Sequence, residues 1–301
     1  MPEQPTTIGQ FAQSVLRRQL AALLAREAGV RSGDDPEAVH QMRVATRRLR
    51  AALSLFADVI PADVLALRRE LGWLADTLGA VRDFDVQMTS LRQVAEELRA
   101  EQPALSPLFA WFAARRASAR DDLTERLDSA RYAALLGSLG ALSSVNVTGW
   151  PGDAGRRVEE ALPERLHRRH RRFRKAARAI SAASAAVELH RARIRAKQLR
   201  YSLEFASGVY GKPAQTLIRR AVGLQDLLGA IQDAVVMDER LRALSSAGHE
   251  LPPSSIFLAG QLAQCFAQRA TSARAQIPRS SGRVLSRKRW KRLARSFPVS
   301  R

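Results

Sequence analysis

The sequence predicts an all-α protein made of two similar helical bundles. Apolar residues recur at helical spacing along almost the whole chain, and we find no convincing β-strand pattern. The segment VHQMRVATRRLR at 39–50 aligns with LHRARIRAKQLR at 189–200, an offset of 150 residues. In the same register, LADTLGAVRD at 74–83 aligns with LQDLLGAIQD at 224–233, with six of ten positions identical. This ordered duplication predicts a tandem repeat related by a pseudo-two-fold axis.

The predicted helices follow the chain in two sets. The first set covers about 8–29, 36–58, 62–79, 82–101 and 106–137, and the second about 155–180, 184–210, 213–228, 230–247 and 254–276. Asp35 is a suitable N-cap and Pro36 fits the first helical position. Gly79 and Gly229 are expected at turns between consecutive helices.

Loop residues set the predicted boundaries between the repeats. SSVNVTGWPGDAG at 143–155 is rich in turn-forming residues and separates the two halves. The predicted division is therefore an N-terminal helical repeat, a linker, a C-terminal helical repeat and a basic tail, at 1–142, 143–155, 156–276 and 277–301. We expect a solvated tail, in which RKRWKRLAR at 287–295 forms a short helix only on binding.

Composition points to a polyanionic partner. The 301 residues carry a formal charge of +20, which attracts nucleic acid, polyphosphate or anionic lipid. Only five of the 49 cations are lysines, and arginine forks pair bidentately with phosphate oxygens. The codon usage of a GC-rich genome would explain the same arginine excess. An apolar fraction of 46% can support a sizeable core.

Cellular location is predicted from what the sequence lacks. Cys265 is the only cysteine, so the chain can form neither an internal disulfide nor a cysteine zinc site. The N-terminal sequence resembles no signal peptide, and no apolar run approaches the length of a membrane span. We therefore expect a cytoplasmic protein with no integral membrane association.

Each copy of the repeated helix carries a basic stripe that begins with a histidine. With 100° per residue and His40 at zero, Arg43, Arg47 and Arg50 fall between about 280° and 340°, beside the apolar face. The second stripe consists of His190, Arg193, Lys197 and Arg200. Successive cations rise by about 4.5–6 Å along the axis, which suits a chain of repeated phosphates better than one small anion.

A second cationic run covers 164–178, with eight Arg or Lys residues and one acid. At the same offset Arg168 aligns with Arg18, so Arg18, Arg168 and Arg172 are further candidates for phosphate binding. The alternative for this run is a solvated cationic face, which is how most charge runs are used.

The roles of the repeated histidines and aspartates stay open. His40 and His190 could be packed and hydrogen-bonded within the fold, or could donate to phosphate as imidazolium. The repeated acids are expected to cap helices or orient arginines, with metal binding or acid–base chemistry as the alternative; they are Asp76, Asp83, Asp226 and Asp233.

The repeated motifs resemble a known family. VHQMRVATRRLRAAL followed by LGAVRDFDV at 78–86 resembles the first half of the CHAD family, the conserved-histidine α-helical domain. LHRARIRAKQLRYSLEF with LLGAIQDAVV resembles its C-terminal half, so the likeness extends to about residue 276. The resemblance implies two four-helix bundles with a basic groove or cavity at their junction. It also implies binding of inorganic polyphosphate and association with polyphosphate granules.

The family motif is carried over position by position. The expected polyphosphate-binding residues are His40, Arg43, Arg47, Arg48, Arg50, His190, Arg193, Lys197 and Arg200, with Tyr201 also at a motif position. The copies differ, because Lys197 replaces an arginine, Gln198 aligns with Arg48, and neither Arg82 nor Asp85 has a counterpart. The two halves should therefore contribute unequally. No E-x-E-x-K motif of a fused triphosphatase is present, so we expect a stand-alone binding module.

Two other functions compete with polyphosphate binding. A nucleic-acid-binding protein would use the same charge, with Trp290 in the tail stacking on a base or, with Leu293 and Phe297, touching a membrane surface. An enzyme would have to use a weaker signal, the di-iron-like spacing of Glu164, His167 and His170. We expect no catalytic residues, metal or cofactor, and we consider polyphosphate-granule enzymes as candidate partners.

Overall fold

The computed structural model describes residues 6–33, 35–247, 251–284 and 287–297, and these ranges are almost entirely helical. They contain no β-strand, only an isolated bridge between Thr7 and Arg157. The helices are α1 (Ile8–Ser32), α2 (Pro36–Leu55), α3 (Ala62–Glu97), α4 (Gln102–Asp128), α5 (Ala130–Ser144), α6 (Val158–Ala179), α7 (Ala186–Phe205), α8 (Ser207–Ala247), α9 (Pro253–Arg274), α10 (Ile277–Val284) and α11 (Arg287–Ala294). A single 3₁₀ turn, Val147–Gly149, lies in the segment between α5 and α6. The all-α prediction is confirmed.

The start of α2 follows the sequence signals. The Asp35 carboxylate accepts a hydrogen bond from the Glu37 amide at 2.8 Å, and proline occupies the first turn. This capping satisfies a backbone N–H that has no partner inside the helix. The first basic stripe therefore begins at a fixed point, with His40 in the second turn of α2.

The predicted breaks at Gly79 and Gly229 are wrong. Both glycines lie inside long continuous helices, because 62–79 and 82–101 are joined in α3, and 213–228 and 230–247 are joined in α8. Each glycine instead provides space for an arginine side chain from the neighbouring helix. The break within α8 lies earlier, at Gly211, where φ is 54°.

Another helix expected from the sequence, 106–137, is divided in two. Ser129 ends α4 and caps α5, with its hydroxyl accepting from the Tyr132 amide at 3.3 Å. A serine that caps a helix offers the backbone an alternative to continued helical hydrogen bonds. Helical periodicity continues across such a site, which is why the pattern of apolar residues alone missed it.

Two apolar clusters organise the described helices. One cluster combines α1, α2, α5, α6 and α7 with the first parts of α3 and α8. The other joins the second parts of α3 and α8 to α4 and α9. The long helices α3 and α8 therefore connect both clusters, and each cluster contains residues from both predicted repeats. Helices α2 and α7, which carry the basic stripes, also contact each other.

The expectation of a solvated tail is wrong for the described residues beyond 276. Helices α10 and α11 pack against α8, and Leu293 is fully buried. The Trp290 ring stacks on His170 with centroids 3.7 Å apart, and Phe297 contacts the Tyr210 ring edge-on at 4.9 Å. These apolar side chains are therefore not free to stack on a base or to enter a lipid surface. Residues 285, 286 and 298–301 lie outside the described part.

Over the described residues, no helix combines the length and apolar character that crossing a membrane requires.

Candidate anion-binding site

The contact between α2 and α7 brings the two stripes into one cationic cluster. Arg47 is influenced by Arg43 and Arg50 on its own helix and by Arg200 from α7. The α7 residue Lys197 is influenced first by Arg47, then by Arg193 and Arg43. We call this group the central cluster, and its members are Arg43, Arg47, Arg193, Lys197 and Arg200. Residues 150 positions apart in the sequence are therefore neighbours in the fold.

The inner glycines of α3 and α8 seat two arginines of the central cluster. A Cβ atom added to Gly79 would lie 3.5 Å from the Arg43 Nε, and one added to Gly229 would lie 3.2 Å from an Arg193 Nη. The missing side chains thus allow each guanidinium to approach the helix behind it. The Nε atoms of Arg43 and Arg193 are buried with no hydrogen-bond partner, so packing rather than hydrogen bonding holds these ends.

The charge at the middle of the central cluster is not neutralised. Among the described residues, no carboxylate lies in ion-pair contact with Arg47 or Lys197. Burial lowers the pKa of Lys197 to about 6, and the neighbouring arginines, Arg47 first, add to this effect. Burial also lowers the pKa of Arg47. A bound polyanion would remove this like-charge repulsion, because it supplies the missing negative charge.

Acidic residues border the cluster without filling it. Asp83 lies 3.7 Å from the Arg43 guanidinium and is itself exposed. Asp233 lies on a concave surface, where surrounding protein atoms raise the pKa of its carboxyl and Arg193 opposes that rise. Asp76 and Asp226 are exposed, and Asp226 is among the charges that act on Arg193. The contacts of Asp83 and Asp233 fit the expected role of orienting arginines.

The two histidines have different surroundings. Half-buried His40 has a lowered pKa, caused by burial first and by the Arg82 charge second. Exposed His190 has its Nδ1 3.3 Å from the Gln232 Oε1, which also accepts a 3.5 Å hydrogen bond from Arg193. Positions 82 and 232 align in the repeat, so this single difference decides whether a cation or an amide faces the histidine.

Arg48 and Arg50 lie beside the central cluster. The Arg48 guanidinium contacts Glu204 at 2.5 Å, and the same carboxylate accepts from Arg200 at 3.2 Å. Both guanidinium groups also lie near the Tyr201 ring. Arg48 therefore joins α2 to α7, a positioning contact in which the sequence gave Glu204 no role. Exposed Arg50 rests against Gly72 of α3 at 3.5 Å.

The further candidates Arg18, Arg168 and Arg172 do not join the central cluster. Arg168 lies 3.4 Å from Asp58, and Arg172 lines a cavity beside it. Arg18 is exposed on α1, and no described contact connects it with either group. The sequence reading missed Arg165 and Arg169, which are buried in α6. Helical spacing from Leu162, Leu166 and Phe173 would have placed them near the apolar face.

The residues at Glu-x-x-His-x-x-His spacing do not form a metal site. Glu164 pairs with Arg156 at 2.6 Å, while His170 is covered by Trp290. Within the described ranges, no group of three or more His, Cys, Asp or Glu side chains could hold a metal ion.

Comparison with known proteins gives a consistent result. The family model described as the CHAD domain matches residues 14–242. The uncharacterized proteins Rv2226 and MT2285 of two Mycobacterium tuberculosis strains are 30% identical over 294 residues, which cover 92% of this chain and 53% of theirs. The chain thus spans about half the length of these curated relatives.

Solved structures show the same fold. The CHAD domain from the plant Ricinus communis superposes with a TM-score of 0.76 at 29% identity, covering 92% of each chain. PptA from Streptomyces chartreusis superposes with a TM-score of 0.74 at 18% identity, covering 92% of this chain and 99% of the other. The family match and the shared fold agree with the histidine-led motifs from which the site was built: the chain belongs to the CHAD domain family.

Proposed function

We propose that the protein binds inorganic polyphosphate at the central cluster. The observation that carries this proposal is the meeting of two basic stripes, with Arg47 and Lys197 at the centre and no described carboxylate paired to either. Membership of the CHAD family supports it, because polyphosphate binding is the activity that the family resemblance implies. Binding would combine charge-assisted hydrogen bonds with release of counterions from the polymer.

The shape of the ligand follows from the arrangement of the cations. Arginines on α2 succeed one another at steps of about 4.5–6 Å along the helix axis. A linear polymer with a negative charge on every unit can meet several of them at once, whereas a single phosphate cannot. Affinity is therefore expected to increase with chain length and to decrease steeply as salt is added.

The protein would act as a binding module rather than as an enzyme. In this proposal it associates with polyphosphate granules in the cytoplasm, where granule enzymes are candidate partners. Incubation with long-chain polyphosphate and Mg²⁺ should release no orthophosphate. Release that depends on the purified protein and disappears on removing the central-cluster arginines would replace binding by hydrolysis as its function.

A competition experiment tests the proposal. Long-chain polyphosphate is bound at near-physiological salt, and duplex DNA or RNA is added in excess of phosphate equivalents. We expect nucleic acid to displace polyphosphate poorly, since a duplex is too wide to place its phosphates between α2 and α7. Equal displacement by DNA or RNA would make generic nucleic-acid binding the better description.

A further inference from the structure

A second basic cavity lies where the end of α2 meets α6. It has a volume of about 210 Å³, and its lining residues are Ser54, Leu55, Ala57, Asp58, Arg165, Arg168, Arg169 and Arg172. We call it the α6 pocket. The arginines at 165, 168, 169 and 172 occupy successive turns of one face of α6, so helical geometry aims them at the same space.

Arg169 shows that the α6 pocket is a built feature and not an open surface. Its side chain is only 7% exposed, although no carboxylate pairs with it among the described residues. Its guanidinium donates to the Ser54 hydroxyl at 2.8 Å, to the Ser54 carbonyl and, at 3.4 Å, to the Gln198 Oε1. All these acceptors are neutral, so they orient the guanidinium and leave its charge uncompensated. Burial therefore lowers the pKa of Arg169 to about 10, with Arg172 as the next cause.

The charge around the α6 pocket is strongly unbalanced. Asp58 is the only carboxylate in its lining, and it is shared by Arg165 at 2.8 Å and Arg168 at 3.4 Å. Arg68 from α3 and Arg195 from α7 also act on Arg169. Six arginines from three helices thus face one aspartate. An oxyanion would relieve this repulsion and accept several charge-assisted hydrogen bonds.

The α6 pocket continues the α2 stripe. Ser54 lies four residues after Arg50 on the same face of α2, a rise of about 6 Å. On α3, Arg68 lies one turn from Gly72, against which Arg50 packs. From His40 to Ser54 the face extends over roughly 21 Å of helix axis. A flexible polymer leaving the central cluster past Arg50 would therefore reach the α6 pocket.

We infer that the α6 pocket is a second phosphate subsite for the same polyphosphate chain, reached only by chains long enough to extend past the central cluster. This inference rests on the proposed function. It gives the protein a physical basis for selecting long chains over short ones, because each additional bound phosphate releases further counterions.

The test compares two double variants of α6. Arg168→Ala/Arg172→Ala removes two exposed cations of the pocket, and Arg171→Ala/Arg178→Ala removes two exposed cations that line a different cavity. Tripolyphosphate and long-chain polyphosphate are the probes. We expect the ratio of long-chain to tripolyphosphate affinity to fall about tenfold in the pocket variant, and less than about twofold in the matched control. Melting curves establish that both variants fold.

Arg168→Lys/Arg172→Lys keeps the charge and adds a second readout. We expect it to recover part of the lost ratio, since lysine binds phosphate as a point charge without the bidentate fork. An equal change of the ratio in the pocket and control variants would overturn the inference while leaving the central cluster intact. Failure of the proposed function would look different, because wild-type protein would then bind polyphosphate no better than nucleic acid.

Discussion

The basic stripes on α2 and α7 occupy aligned positions in the sequence but differ in how their charge is held. The α2 stripe has Arg47 at its middle, and Arg82 lies close to His40. The α7 stripe has Lys197 and Gln232 at the aligned positions, and Gln232 accepts hydrogen bonds from both His190 and Arg193. Arginine keeps its charge at any physiological pH, whereas a crowded lysine can lose its proton. The α2 half therefore supplies permanent charge and the α7 half supplies charge that depends on conditions.

This difference follows from crowding at the contact between the helices. Lys197 has Arg43, Arg47, Arg193 and Arg200 as its charged neighbours. A fifth guanidinium there would add a permanent charge with no partner, while lysine can become neutral until an anion arrives. We therefore expect the comparison between the two stripes to be decided by five experiments, described from the largest effect to the smallest, with the salt dependence of binding last.

Removing one seated arginine from each stripe should have the largest effect. In Arg43→Ala/Arg193→Ala we expect affinity for long-chain polyphosphate to fall at least about 100-fold, because two charge-assisted contacts are lost. Helicity should be unchanged, since both Nε atoms are buried without partners. Arg26→Ala/Lys212→Ala is the matched control, because it removes the same charge from exposed sites. An equal loss in both variants would show that only net charge matters.

The pH dependence of affinity should come from the α7 stripe. With a pKa of about 6, the free Lys197 amine is mostly neutral above pH 7, and a bound polyanion would raise that pKa. Binding then takes up a proton, so affinity should increase as pH falls from about 9 to 6, by at most about tenfold per pH unit. Below pH 6 the free amine is already charged and this gain should end.

Lys197→Arg isolates that contribution. The guanidinium stays charged, so this variant should bind polyphosphate with little dependence on pH between 7 and 9. Isothermal titration in buffers of different ionisation enthalpy would measure the proton uptake directly. If Lys197→Arg retained the pH dependence of the wild type, another group would be responsible and the assignment to Lys197 would be wrong.

The seating glycines offer a smaller and sharper contrast. Alanine at either position should raise helix stability by about 0.8–1 kcal/mol. At Gly79 the new Cβ meets Arg43 at an ordinary 3.5 Å, but at Gly229 it meets Arg193 at 3.2 Å. We therefore expect Gly229→Ala to weaken polyphosphate binding a few-fold and Gly79→Ala to leave it nearly unchanged. Titrations and melting curves on both variants check this, and equal affinities would contradict it.

The smallest effect concerns the histidine environments. Arg82→Gln gives the α2 stripe the amide found in the α7 stripe and removes the second cause of the lowered His40 pKa. The pKa of His40 should increase, which NMR titration of the imidazole resonances can detect. His170, buried under Trp290 with a pKa of about 3, is the internal reference. An unchanged His40 pKa would show that burial alone sets it.

Much of this account could be predicted from the sequence, for a physical reason. Helical periodicity and the caps at Asp35 and Pro36 are local signals, so the all-α fold and the start of α2 follow from them. The positions of Gly79 and Gly229 required tertiary information, because a glycine at a turn and a glycine beneath an arginine look alike in a sequence. The role of Glu204 likewise depends on the contact between α2 and α7. The tandem repeat, its axis and the groove remain predictions.

The central claim is that both stripes contact the same polyphosphate chain, and the salt dependence of binding tests it most directly. The slope of log affinity against log salt counts phosphate contacts, at about 0.7 per contact for a flexible single strand. Measured for the wild type, Arg43→Ala and Arg193→Ala, the slope should decrease by about 0.7 in each variant. A decrease in only one variant, or in neither, would contradict a site shared by α2 and α7.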